Sequence, residues 1–216
     1  NVNRDITSQR LAGADRFSTA VAIARRGFTG SSTGSQWGGI RHVIIASGED
    51  RAAADPLSAA GLCWAYDAPL MLVSSSNTPS QVKAAVKEIA SQAGGTVTIH
   101  IVGGSVSVPD ARYNDLKAYV GGSGTLRKHR VAGPDRFSTA AAIARDMKAQ
   151  KGTPSTVLIA NGADNTKFFD ALALSPIAAQ NGYPIVPVSA TSVPGASESI
   201  LREFKPTTVI IGGGPN

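Results

Sequence analysis

Two stretches of this 216-residue chain concentrate side chains that could hold an anion. Arg10 to Arg25 reads RLAGADRFSTAVAIAR and Arg130 to Arg145 reads RVAGPDRFSTAAAIAR, identical at thirteen of sixteen positions. In each, a glycine turn (Gly13, Gly133) delivers an aspartate, an arginine and a threonine to a helix start: Asp15, Arg16 and Thr19, then Asp135, Arg136 and Thr139. Free N–H groups and the helix dipole attract anions there, and a guanidinium adds a two-pronged donor for phosphate or carboxylate. The structural alternative uses the same residues differently. Asp15 caps the helix, Arg16 pairs with a carboxylate, Phe17 enters the core and Thr19 bonds backbone.

Other candidates carry less. Gly103-Gly104 and Gly212-Gly213 follow apolar strands, as phosphate-cradling turns do, but no G-x-G-x-x-G or G-x-x-x-x-G-K-[ST] is present. Simple strand-to-helix turns explain them. Ser80-Gln81-Val82-Lys83 matches S-x-x-K without its companion motifs or a counterpart in the second stretch. Asp55 and Asp170 read as helix caps, while Asp50 and Asp164 end equivalent strand-exit loops, the usual ligand edge of a parallel sheet. His42, His100 and His129 look scattered, so no metal site is expected. Cys63 lies between Leu62 and Trp64 and reads as core.

Composition narrows the class. Hydrophobic residues make up 42% and charged residues 17%, enough to bury a core. The single cysteine excludes an internal disulfide and a cysteine-based metal cluster. No apolar run reaches the ~18–20 residues of a membrane span. The 21 basic and 15 acidic residues leave a formal charge of +6, which favours anionic partners. Aromatics at 6% are thin for stacking on single-stranded nucleic acid.

The elements that position these residues are themselves duplicated. HVIIASGED from His42 parallels TVLIANGAD from Thr156, and the segment from Asp55 aligns with that from Asp170, setting Pro69 against Pro184. TVTIHIVGG from Thr96 is answered by TTVIIGGG from Thr207. Each copy reads as strand and helix in alternation. Helices are expected after Asp15, from Asp55 to about Tyr66, from a Thr78 cap through Pro79 to Gly94-Gly95, and after Pro109; strands at 43–46, 70–73 and 97–102. The fold class is therefore α/β, two tandem repeats, each a mainly parallel sheet of about four strands flanked by helices. We expect repeat one over residues 1–120 and repeat two over 121–216, joined at Gly121-Gly122-Ser123-Gly124. The start at Asn1 and the stop at Gly212-Gly213-Gly214-Pro215 suggest a fragment of a parent chain that continues, as into a third copy.

These motifs resemble a known family. The R-[LVI]-[AS]-G-x-[DN]-R-[FY]-x-T-A opening, the V-x-[IL]-A-x-G strand, the D-A-L helix, G-x-P before an apolar triplet and a terminal I-x-G-G are similar to cell-wall-binding repeat type 2 (CWB2) of Gram-positive surface proteins and autolysins. The resemblance covers nearly the whole chain, twice. It implies a Toprim-like fold, usually with three repeats in a ring, an extracellular position at the cell wall, and a separate functional domain beside the repeats. It also implies non-covalent capture of an anionic wall polysaccharide, teichoic-acid-like or a secondary wall polymer. No catalysis, cofactor or metal is expected, since the repeated positions are Gly, Arg, Asp, Phe and Thr, with no His or Cys shared between copies. The opening motif falls on Arg10, Asp15, Arg16 and Thr19 and on Arg130, Asp135, Arg136 and Thr139. The triplet, usually Ile-Leu-Leu, falls on Leu70, Met71 and Leu72 and on Ile185, Val186 and Pro187. The sequence departs from the pattern at Asp67, where glycine is usual, and at Pro187.

The expected ligand-binding set is those two groups without Pro187. The competing readings are an enzyme acting on a nucleotide or sugar phosphate and a two-lobed small-ligand receptor. The first lacks a unique catalytic cluster, and the second lacks long crossover hinges.

Overall fold

A computed structural model describes residues 8–28, 37–163 and 168–214. In chain order the elements are α1 (Arg16–Phe28), β1 (His42–Ser47), α2 (Ala54–Ser58), α3 (Ala60–Tyr66), β2 (Leu70–Val73), α4 (Ser80–Gln92), β3 (Thr96–Val102), α5 (Asp110–Val120), β4 (Thr125–Val131), α6 (Arg136–Lys151), β5 (Thr156–Asn161), α7 (Phe169–Asn181), β6 (Ile185–Val188), α8 (Gly195–Phe204) and β7 (Thr208–Gly212). The apolar runs of β1, β3 and β5 become strands buried on both faces, whereas β4 and β7 stay largely exposed, and the helices between strands carry the chain back for another parallel strand.

Two parallel sheets result, one ordered β2-β1-β3-β4 and one β6-β5-β7. Their registers match: Ile44 pairs with Leu70 as Leu158 pairs with Ile185, and Val43 pairs with Ile99 as Val157 pairs with Val209. The duplication in sequence is a duplication in topology. One strand joins the copies. β4 ends in the first two residues of the second opening motif, Arg130 and Val131, yet it pairs along its whole length with β3 of the first sheet.

The packing follows from that junction. On one face of the first sheet, Val43, Ile45, Met71, Ile99 and Ile101 meet α1, α4 and α5 through Val21, Val86, Ile89 and Leu116. On the other face Ile44 and Ala46 meet Leu62 and Ala65 of α3 and Ile143 and Met147 of α6. The same α6 turns Ala141 and Ala144 toward Val157, Val186, Ile200 and Phe204 of the second unit. A helix that packs on two sides needs small residues on both, which is why alanine fills positions 140–142 and 144.

Three local expectations are corrected. The helix expected from Asp55 to Tyr66 breaks at Ala59, where ψ of −8° opens the turn between α2 and α3. Thr78 does not cap α4; its hydroxyl donates to the Asp115 carboxylate at 2.8 Å, and Pro79 occupies the capping position. Asp55 and Asp170 do not cap either, since each lies inside its helix. Pro187 is tolerated because β6 is an edge strand, where a missing donor can face away from the ladder. Among the described residues no helix is long and apolar enough to cross a membrane.

Candidate functional site

The two opening motifs fold alike. Asp15 Oδ1 accepts from the Ser18 N–H at 2.7 Å, and Asp135 Oδ1 from the Ser138 N–H at 2.7 Å. Thr19 Oγ1 accepts from Gly13 N at 2.9 Å, and Thr139 Oγ1 from Gly133 N at 3.1 Å. These bonds hold both aspartates below their ordinary range, with the Ser18 and Ser138 backbone donors as the largest cause. Asp15, Asp135, Thr19 and Thr139 thus shape the turn that aims the arginine.

Each arginine reaches the loop that leaves the first strand of its own copy. Arg16 donates to Gly48 O at 2.8 Å and bridges to Asp50; Arg136 donates to Gly162 O at 3.4 Å. Asp164, the counterpart of Asp50, lies outside the described residues. Arg10 is exposed. Arg130 is committed to the fold, donating to Gly103 O at 2.7 Å, Val108 O at 2.9 Å and the Asp110 carboxylate at 2.6 Å. Lys128 joins it there, and the two cations hold Asp110 down at about 2.

A repeated carboxylate stands against the glycine turn after β3 and after β7. Asp55 Oδ2 lies 2.6 Å from where a Cβ on Gly103 would be, and Asp170 Oδ2 2.7 Å from the same point on Gly213. Gly103 (φ +106°) and Gly213 (φ +123°) are therefore the equivalent residues, one position on from the pairing read in the sequence. Burial pushes Asp55 up to about 6, against the opposing pull of Arg136. Asp55, Arg51 and Arg136 line a cavity of about 410 Å³ with Ser105, Ser107, Gly133 and Asp135. It sits at the carboxyl edge of the first sheet, where the first copy meets the N-terminus of α6.

The apolar triplets divide. Met71, Ile185 and Val186 are core side chains, while Leu70 and Leu72 are half-buried. Those two leucines line a larger groove of about 1400 Å³ together with Arg16, Ile23, Phe28, Trp64, Phe168 and Leu172. Cys63 also borders it, but burial pushes its thiol up to about 12, which makes it a poor nucleophile.

The histidines are not scattered. Parallel pairing sets His100 beside His129, and His42 Nδ1 lies 2.9 Å from His100 Nε2. Tyr66 packs on His100 with ring centroids 4.1 Å apart. Asp146, from α6, lies 3.1 Å from His129 Nε2. Burial first, then the charges of His42, His129 and Arg127, lowers His100 to about 3, so its ring is neutral. Strand register brings these residues together, and no spacing along the chain signals it.

The family described as "Cell wall binding domain 2 (CWB2)" matches residues 10–113 and 130–216, each match beginning at the first arginine of an opening motif. The chain belongs to the CWB2 family. Among curated CWB2 relatives, the N-acetylmuramoyl-L-alanine amidase LytC of Bacillus subtilis (strain 168) is 31% identical over 210 residues, spanning 97% of this chain and 37% of that protein. The amidase enhancer of the same strain is 27% identical over 218 residues, spanning 94% of this chain and 27% of that protein. Among solved structures, Cwp6 from Clostridium difficile superposes with a TM-score of 0.75 at 26% identity, covering 98% of this chain and 31% of Cwp6. Cwp8 from the same organism gives 0.71 at 27%, covering 94% of this chain and 30% of Cwp8. The chain thus spans about a third of its relatives' length. CWB2 membership makes it a cell-wall-binding module of the Gram-positive cell surface.

Proposed function

We propose that this CWB2 pair anchors its parent protein by binding an anionic wall glycopolymer non-covalently, without catalysis, at the cavity shared by the two copies. The observation that carries the reading is Arg136. It lines a polar recess, where it is accompanied by Arg51, two serines and the start of a 16-residue helix. A helix start and a guanidinium both favour phosphate or carboxylate groups. The formal charge of +6 adds long-range attraction toward a polyanion.

Asp55 gives the recess a second property. A carboxyl near its midpoint at about 6 adds little negative charge in mildly acidic surroundings and more at neutral pH. Retention on a polyanion should therefore strengthen as pH falls from 7 to 5.

The test is sedimentation with purified wall, before and after its anionic polymers are removed. Wild-type protein should follow the intact wall and release in salt as exposed charges are screened. Arg136→Ala should weaken retention ~10-fold or more, the effect of losing a charge-assisted contact of roughly 1.5–3 kcal/mol. Arg16→Ala should cost less, because Arg16 borders the larger, mainly leucine- and aromatic-lined groove rather than the polar recess. Equal retention on stripped wall, or by a folded Arg136→Ala variant, would remove the polymer or the cavity from the account.

A further inference from the structure

The cluster on the inner face of the first sheet holds two buried polar atoms that face each other without satisfaction. His100, with 2% of its surface exposed, points Nδ1 toward Asp146 Oδ2 at 4.0 Å, and neither atom meets a partner in hydrogen-bond geometry among the described residues, although the Tyr66 hydroxyl also faces the Asp146 carboxylate. That distance is too long for a hydrogen bond, and leaving such atoms unpaired in the interior is costly. Changing the tautomer does not help. If His100 Nε2–H donates to His42, Nδ1 is a bare lone pair facing a carboxylate; if His42 donates instead, the Nδ1–H of His100 has no acceptor in reach.

A cation satisfies both atoms at once. We propose that His100, His129 and Asp146 hold one divalent transition-metal ion, with zinc the best chemical match, and that the ion ties β3, β4 and α6 together. Their donor atoms lie within 4.8 Å of one another. His129 Nε2 lies 3.1 Å from Asp146 Oδ1 and His100 Nδ1 lies 4.0 Å from Asp146 Oδ2, so the carboxylate faces one ring with each oxygen, at separations either side of the ~3.4 Å expected between two donors ~2.1 Å from a tetrahedral ion. Two imidazoles and a carboxylate suit zinc and its neighbours, whereas calcium and magnesium take oxygen donors. His42 holds the far nitrogen of His100, the outer support that a metal-bound imidazole needs. Three monodentate protein donors would leave one tetrahedral position for water, and His129, 44% exposed, gives the cluster an edge in contact with solvent. Arg127, the nearby opposing charge, is engaged with Thr98 Oγ1 at 3.2 Å. By strand register the second sheet has Thr156 and Ile210 where the first has His42 and His100, so the site is no part of the repeated pattern.

The experiment uses the untagged chain, stripped with chelator and titrated with cobalt(II) and then zinc(II). Wild type should develop the intense visible absorption of four-coordinate cobalt at one equivalent, lose it to zinc, and melt at a higher temperature with zinc bound. His129→Ala, at an exposed position, and Asp146→Asn, which keeps the side-chain shape, should both abolish the one-equivalent signal while circular dichroism stays native. His42→Ala should weaken zinc ~10–100-fold. Folded wild type that takes up no ion at one equivalent, or uptake unchanged in a folded His129→Ala variant, overturns the proposal.

Discussion

Asp55 is buried beneath the Gly103 turn, and its carboxyl is raised from an ordinary 3.8 to about 6. Between these values the folded protein keeps a proton that the unfolded chain releases. The stabilisation from this group is full below about 4 and is lost as pH rises through about 6. The loss is on the order of 3 kcal/mol, and Asp55→Asn does not undergo it. In urea melts at pH 4 and pH 7, the stability difference between variant and wild type should move toward the variant by about that amount as pH increases. A difference that stays constant would mean that Asp55 is solvated as an ordinary surface carboxylate.

At the level of elements, the recurring unit is a strand, a positive-φ glycine and a carboxylate that a Cβ on that glycine would crowd. Gly103→Ala should cost at least ~1–2 kcal/mol for its backbone angle alone. Removing the carboxylate as well should relieve the contact and leave that backbone cost. Denaturant midpoints for Gly103→Ala, Asp55→Ala and the pair should therefore reveal coupling, roughly 0.5–3 kcal/mol; additive effects would disconnect turn and carboxylate. Much of this architecture was readable beforehand because its signals are local. Asp15 and Asp135 lie three residues before the N–H groups they cap, and the β-branched runs at Val43 and Val97 declare strands. The non-local parts were hidden. Nothing along the chain says that Thr78 meets Asp115, that β4 returns to the first sheet, or that His100 stands beside His129, since register is a property of two strands at once. The same limit made Arg16 and Arg136 look equivalent, although only Arg136 lines the cavity beside Asp55.

Across the whole molecule the two cores interlock through α6. Ile143 and Met147 complete the first unit while Ala141 and Ala144 complete the second, and Met147 rests against Gly61 of α3. Calorimetry should therefore show one unfolding transition for both copies, and Met147→Ala should lower it as a whole, by roughly 2–5 kcal/mol. Two resolved transitions would show that the units melt separately. The strand β4 has a bearing on how such repeats can be exchanged. A chimera cut at Gly121–Gly124 would leave its upstream partner without the strand that covers β3, and would strip Arg130 from the carbonyls of Gly103 and Val108. The crossover point that preserves every backbone pairing lies instead in the turn at residues 132–135, after the strand has closed one sheet and before the helix begins the next, so the segment that is copied and the segment that can be transplanted are offset by one strand.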